Sequence, residues 1–244
     1  MVISRTSDHD KILKRLGVGS ALTTAVLTVV TLAVALLIPP AAGPLALKPV
    51  SFQYFDFLSH FPRDYIWMYP AMLLMLSYIV MVGCIYLVTP SRKRVWAHMG
   101  LAFGAISGAV LFLDYLIQVS IIQQSLFNEN SNVIRMLTQF NPRSIFVVME
   151  EIGYMFMSLS FLFTASVFYQ PGKLDKAVKG ILYTAFFLGV GTLAAISMVY
   201  GMHREYIFEV AAISINFLAL IPVGILIGLR FRRFPEGTAA FEIA

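Results

Sequence analysis

An all-α bundle of about six membrane-spanning helices, with both termini on the cytoplasmic side, is the fold this sequence predicts. Three observations predict it: the composition, six long apolar runs, and basic residues gathered at alternate ends of those runs. Of the 244 residues, 59% are hydrophobic and 13% charged, and the mean hydropathy is +0.79. A water-soluble domain is nearer about half apolar and about a quarter charged. This chain has too little polar surface to cover a globule in water, so lipid is its solvent. The length fits a single transmembrane domain spanning residues 1–244.

A hydrocarbon core about 30 Å thick takes roughly 20 helical residues to cross. Runs that satisfy this lie at 17–38, 66–88, 96–124, 145–169, 181–202 and 208–230, leaving tails at 1–16 and 231–244. The first, second and fifth carry no charged residue. The first also has features of a signal peptide: Arg5, Lys11, Lys14 and Arg15 precede it, and Ala41-Ala42-Gly43 follows. Its apolar stretch of about 22 residues exceeds the ~7–15 of a signal peptide core. A retained spanning helix is therefore expected, with cleavage as the alternative.

Lysine and arginine set the orientation. With the N-terminus inside, the inner segments hold Arg5, Lys11, Lys14 and Arg15; Arg92, Lys93 and Arg94; Lys173, Lys176 and Lys179; and Arg230, Arg232 and Arg233. The outer segments hold only Lys48, Arg63, Arg135, Arg143 and Arg204. Every inner segment is richer than every outer one, which is the positive-inside pattern. That placement argues against nucleic acid as a partner for the net charge of +5.

Two outer loops are long. Residues 39–65 open on Pro39-Pro40 and carry Phe52, Tyr54, Phe55, Phe57 and Phe61, a composition suited to the membrane interface or to capping the bundle. Residues 125–144 contain Asn128-Glu129-Asn130-Ser131, a turn and helix cap. Val133, Ile134, Leu137 and Phe140 then share one face, predicting a short amphipathic helix on the outer surface. The second and fourth spans both end in a proline followed by a lysine, Pro90 with Lys93 and Pro171 with Lys173; at that offset Ser77 also matches Ser158 and Gly108 matches Gly189, too few matches to establish a duplication.

Small residues mark the packing faces. Gly100, Gly104 and Gly108 form a ridge on the third span, Gly224 and Gly228 one on the sixth, and Ser20, Thr24, Thr28 and Thr31 a polar stripe on the first. Small residues four apart let helices approach closely in lipid. Packing within the chain is the first expectation; a homo-oligomer through Gly100, Gly104 and Gly108 is the alternative. Pro222 removes a backbone donor and should bend the sixth span. Cys84, the single cysteine, reads as an inert buried thiol.

The acids are the best functional clue. Asp114, Glu150, Glu151 and Glu209 fall inside spans, whereas the other carboxylates lie in tails and loops. A carboxylate at mid-membrane costs on the order of 3 kcal/mol, so it usually faces a cavity or a partner. At 1.5 Å per residue, Asp114 lies about 15 Å below the outer end of its span and the two adjacent glutamates roughly 8–9 Å deep. Ser107, Asp114 and Gln118 share a face, as do Glu151 and Ser158, and Glu209 and Asn216. Tyr154 lies one turn from Glu150 and Glu151. The candidate binding residues are therefore Asp114, Gln118, Glu150, Glu151, Tyr154, Glu209 and Asn216. They predict a polar pocket that opens outward and has a closed floor. The bland reading is an ion pair, for instance between a glutamate and Arg143.

Nothing marks a catalytic set, a metal site, a cofactor or a nucleotide loop. His203, Glu205 and Glu209 do not have HExxH spacing, and His98 belongs to the inner headgroup level. The stretch Met149-Glu150-Glu151-Ile152-Gly153-Tyr154 with Met157-Ser158-Leu159, and Phe208-Glu209-Val210 with Ile215-Asn216-Phe217, resembles uncharacterised six-span membrane proteins of bacteria. The resemblance implies a prokaryotic plasma membrane and no particular activity. The expected function is binding or transport of a small molecule or lipid. An intramembrane enzyme using one buried carboxyl and a structural membrane subunit are the alternatives.

Overall fold

Helix-breaking residues rather than hydropathy set several helix ends: the first helix stops before Pro39, and the helix after Pro171-Gly172 runs to Gly201. In the computed structural model, which describes residues 2–39, 58–127, 131–204 and 206–233, α1 spans Val2–Leu37. It therefore starts well before the apolar run. Lysine and arginine are good helix formers, and Leu13 on this stretch is already buried. The helix α2 spans Met68–Leu87, and α3 spans Arg94–Ile117. One wide π turn at Gln118–Ile122 carries α3 into the short α4, Gln123–Phe127.

Then come α5 (Ser131–Leu137), α6 (Ile145–Ala165), α7 (Lys173–Tyr200) and α8 (Ile207–Arg232). The Ser144 hydroxyl caps α6 by accepting from the Val147 N–H. The early start of α7 has Asp175 in its first turn, where an acid suits the positive end of the helix dipole. Gly201 ends α7 with φ of 53°, a left-handed conformation that glycine adopts without strain. There is no strand among the described residues. Six helical stretches are long and apolar enough to cross a membrane.

Five helices close a ring in the order α1, α2, α3, α6, α8, and α7 lies outside it against α6 and α8. The three spans that carry the buried acids, α3, α6 and α8, are not all mutual neighbours. Here α6 stands between α3 and α8, which touch each other slightly at most. The peripheral place of α7 leaves Phe187, Leu188, Met198 and Val199 exposed, as a lipid-facing flank would be.

The small-residue faces join the ring. A Cβ on Gly100 would meet Thr164 and Ser160 of α6, and one on Gly108 would meet Ile79 and Met75 of α2. The glycine ridge is thus buried between α2 and α6, so the alternative of a homo-oligomer through Gly100, Gly104 and Gly108 has no free face there. Gly224 and Gly228 pack on Ala21, Ala25 and Leu22 of α1. The α1 stripe meets α2 through Thr24 and Ser77, whose hydroxyls are 2.9 Å apart, and Ser77 donates to the Ser20 carbonyl at 3.0 Å. On the other side of α2, Tyr78 donates to Ser160 at 2.7 Å, and Ser160 donates to the Gly100 carbonyl at 2.7 Å.

The two ends of the bundle differ. At the terminal end Arg230 pairs with Asp175 at 2.8 Å, and the Arg92 guanidinium sits 4.1 Å from the Tyr169 ring centre. The loop end is closed by protein. α5 and the segment after it fold down onto the bundle: Ile134 of α5 and Thr138, Gln139 and Phe140 beyond it are buried. Gln118 donates to the Leu137 carbonyl and accepts from the Gln139 N–H, Gln139 donates to the Asp64 carbonyl at 3.2 Å, and Tyr206 donates to the Gln139 carbonyl at 3.1 Å. The aromatic run Phe52, Tyr54, Phe55 and Phe57, the turn at 128–130, Glu205 and residues 234–244 lie outside the described residues.

Candidate functional site

Helical phase on α3, α6 and α8 carries polar groups into one layer beneath the loop end. On α3, Gly104, Gly108, Leu111 and Tyr115 are spaced +4, +3 and +4 and are all buried. Asp114, next to Tyr115, is 1% exposed. On α6, Glu150 is 0% and Tyr154 0% exposed; on α8, Glu209 is 5% and Asn216 0%.

The centre is Glu150. The Tyr115 hydroxyl donates to its Oε1 at 2.7 Å and lies 2.9 Å from the Tyr154 hydroxyl. A phenol has one proton. Tyr115 gives its proton to Glu150, so Tyr154 donates to Tyr115, and the chain runs Tyr154 to Tyr115 to Glu150. Aromatic neighbours fix both rings: Trp67 meets Tyr115 edge-on with ring centres 5.2 Å apart, and Phe217 meets Tyr154 edge-on at 6.0 Å. The Glu209 carboxyl lies within hydrogen-bonding range of Glu150. Yet Glu150 Oε2, Glu209 Oε2 and Asp114 Oδ2 are all buried with no hydrogen-bond partner. Most buried polar groups are paired, so three orphaned carboxyl oxygens in one layer call for an explanation.

Glu151 points elsewhere, as the 100° step between adjacent helical residues requires. It pairs with Arg204 of the α7–α8 connection at 2.6 Å, not with Arg143, which is exposed. Beside this pair a groove of about 310 Å³ runs between α6, α7 and α8, lined by Ile152, Met155, Leu159, Leu193 and Phe208. Deeper on α8, Asn216 donates to the Ala212 carbonyl at 2.8 Å and reaches Ser158 of α6 at 3.4 Å.

Of the seven predicted site residues, Asp114, Glu150, Tyr154 and Glu209 come together in the buried layer. Glu151 lines the groove, Gln118 ties down the plug at 137–139, and Asn216 links α8 to α6. The outward-opening cavity around Asp114 is not what the structure shows, because Asp114, Gln118, Tyr154 and Asn216 are enclosed by side chains. The open groove reaches Glu151 instead. Two important residues were missed. Tyr115 was legible from the +4, +3, +4 spacing on α3. Arg204 as the partner of Glu151 was not, since a connection between helices has no phase. Among the described residues no group of three histidine, cysteine or acidic side chains is arranged to hold a metal ion.

These features define a multi-pass α-helical membrane protein with a buried carboxyl–tyrosine layer and a groove at its edge. No protein family model, no curated protein and no solved structure matches this chain.

Proposed function

We propose that this protein binds a lipid or lipid-soluble small molecule in the α6–α7–α8 groove, at the outer face of a prokaryotic plasma membrane. The observation that carries the reading is the groove itself. Its walls are apolar except for the Glu151–Arg204 pair at one end, so it matches a molecule with an apolar chain and a hydrogen-bonding head. Such sites are concave and mostly apolar, with a few polar groups that fix orientation. Burial of Asp114, Glu150 and Glu209 within the chain weighs against the structural-subunit alternative, which needs those acids on the outside.

A photoactivatable phospholipid, its reactive group at the end of an acyl chain, tests this in reconstituted vesicles. Labelling is expected on Met155 and Leu159 and should fall several-fold in Leu193→Trp, which fills the groove. Labels spread evenly over lipid-facing residues such as Leu73 and Leu113, unchanged by Leu193→Trp, would remove the site. The orientation has its own check. Reporter fusions after Ala244 and in the loop at Asn130 should report opposite sides, inside and outside respectively; the same side for both overturns the N-in, C-in arrangement.

A further inference from the structure

We infer that the Glu150–Glu209 pair, with the Asp114 carboxyl facing it, is a proton-binding site that exchanges with the loop end through Glu151. The argument begins with donors. Two carboxyls at hydrogen-bonding range are both acceptors when ionised, and a hydrogen bond between them exists only with a proton on one. The protein supplies no donor to Oε2 of either residue. Asp114 is a second and independent observation: it comes from a different helix, is 1% exposed, has no partner for Oδ2, and acts electrostatically on both glutamates. Three buried carboxyl oxygens of this layer, one each from α3, α6 and α8, therefore have no hydrogen-bond donor among the described residues.

The surroundings suit a proton better than a fixed ion pair. The titratable groups that act on the pair are Asp114 and Tyr115 from α3 and Glu151 and Tyr154 from α6. None of them is a cation, and Arg204 of the α7–α8 connection is held by Glu151. Glu209 feels both the buried Glu150 and Glu151, and Glu151 lines the groove, so Glu209 is coupled to a carboxyl on either side of the layer's edge. Uptake converts one carboxylate to a carboxyl, release reverses it, and no other bond changes. Tyr115 is a positioning residue here, because its hydroxyl orients Glu150 by donating to Oε1. The groove reading is needed only for the route to water; the proton site itself rests on the buried layer.

Infrared difference spectra of the full chain in lipid bilayers, acid minus alkaline, provide the test. The expected result is a protonated-carboxyl C=O band that titrates, shifts in heavy water, and is lost in both Glu150→Gln and Glu209→Gln but kept in Asp8→Asn on the exposed N-terminal turn. Tyr115→Phe, a milder change, should shift the band without removing it. Glu151→Gln should slow its exchange with heavy water. Absence of the band at every pH where helix content is intact would overturn the proposal. So would a band that never exchanges, which is a static structural proton, or one displaced by sodium and not by potassium, which is a sodium site. Leu193→Trp separates the two readings: it should abolish lipid labelling and keep the band.

Discussion

Gly224→Leu is expected to part α1 from α8 and to lower the unfolding midpoint of the purified protein more than any other glycine substitution in the ring. A Cβ at this position would lie 2.6 Å from the Ala21 carbonyl oxygen, 2.9 Å from the Ala25 Cβ and 3.1 Å from the Ala25 nitrogen. Two of those atoms are backbone, so no rotamer change relieves the contact and a whole helix has to move. Overpacking typically costs about 1–3 kcal/mol. In lipid the loss is compounded, because close dispersion contact is what holds two apolar helices together. Gly17 makes a useful contrast. Its Cβ would meet the Phe231 ring at 2.5 Å, but that neighbour is a single side chain, not helix backbone. Gly17→Ala should therefore cost less than Gly224→Ala. Gly191 on α7 has open space around its Cβ, and Gly191→Leu should leave the midpoint near the native value. Thermal unfolding in mild detergent checks the order, and a Gly224→Leu midpoint equal to that of Gly191→Leu would show that α1 and α8 do not meet there.

Hydropathy made the six spans legible because each needs only length and a predominance of apolar residues. It located the ends poorly. The first span extends through Lys11, Lys14 and Arg15 since nothing there breaks a helix, whereas the fourth stops at Ala165 although Val167 and Phe168 continue the apolar run and are themselves buried. Depth and phase placed Asp114, Glu150, Tyr154 and Glu209 in one layer, because both quantities follow from a 1.5 Å rise and a 100° turn. They could not show what closes the layer. That depends on the segment after α5, whose Gln139 ties together Asp64, Gln118 and Tyr206 from three distant parts of the chain. They also could not assign Glu151 its cation. Arg143 is nearer in sequence, but Arg204 is nearer in space because α7 returns along α6. The wide turn at Gln118–Ile122 was likewise invisible, since it alters phase within an unbroken apolar run.

Tyr115→Phe is expected to destabilise the protein more than Tyr154→Phe, although the two hydroxyls are partners 2.9 Å apart and both rings are fully buried. The order follows from the direction of donation. Tyr115 donates to Glu150 Oε1, and Glu150 Oε2 has no partner among the described residues. Removing that hydroxyl leaves Glu150 Oε1 without this donor and also takes the acceptor from Tyr154. Removing the Tyr154 hydroxyl leaves Glu150 bonded and costs Tyr115 only an incoming bond. An orphaned buried group costs about 1–3 kcal/mol, more when it is charged, whereas deleting both members of a pair is nearly neutral. Tyr115→Phe should therefore sit at the upper end of that range, and Tyr154→Phe near or below its lower end. In a Glu150→Met background, with no carboxyl left to orphan, most of the Tyr115→Phe penalty should disappear, giving a coupling energy of roughly 1–3 kcal/mol between the two positions. The measurement is reversible unfolding of the four proteins in mixed micelles. Equal losses for the two tyrosines, or a Tyr115→Phe penalty that persists in Glu150→Met, would mean that ring packing against Trp67 and Phe146, rather than the hydrogen bond to Glu150, is what Tyr115 contributes.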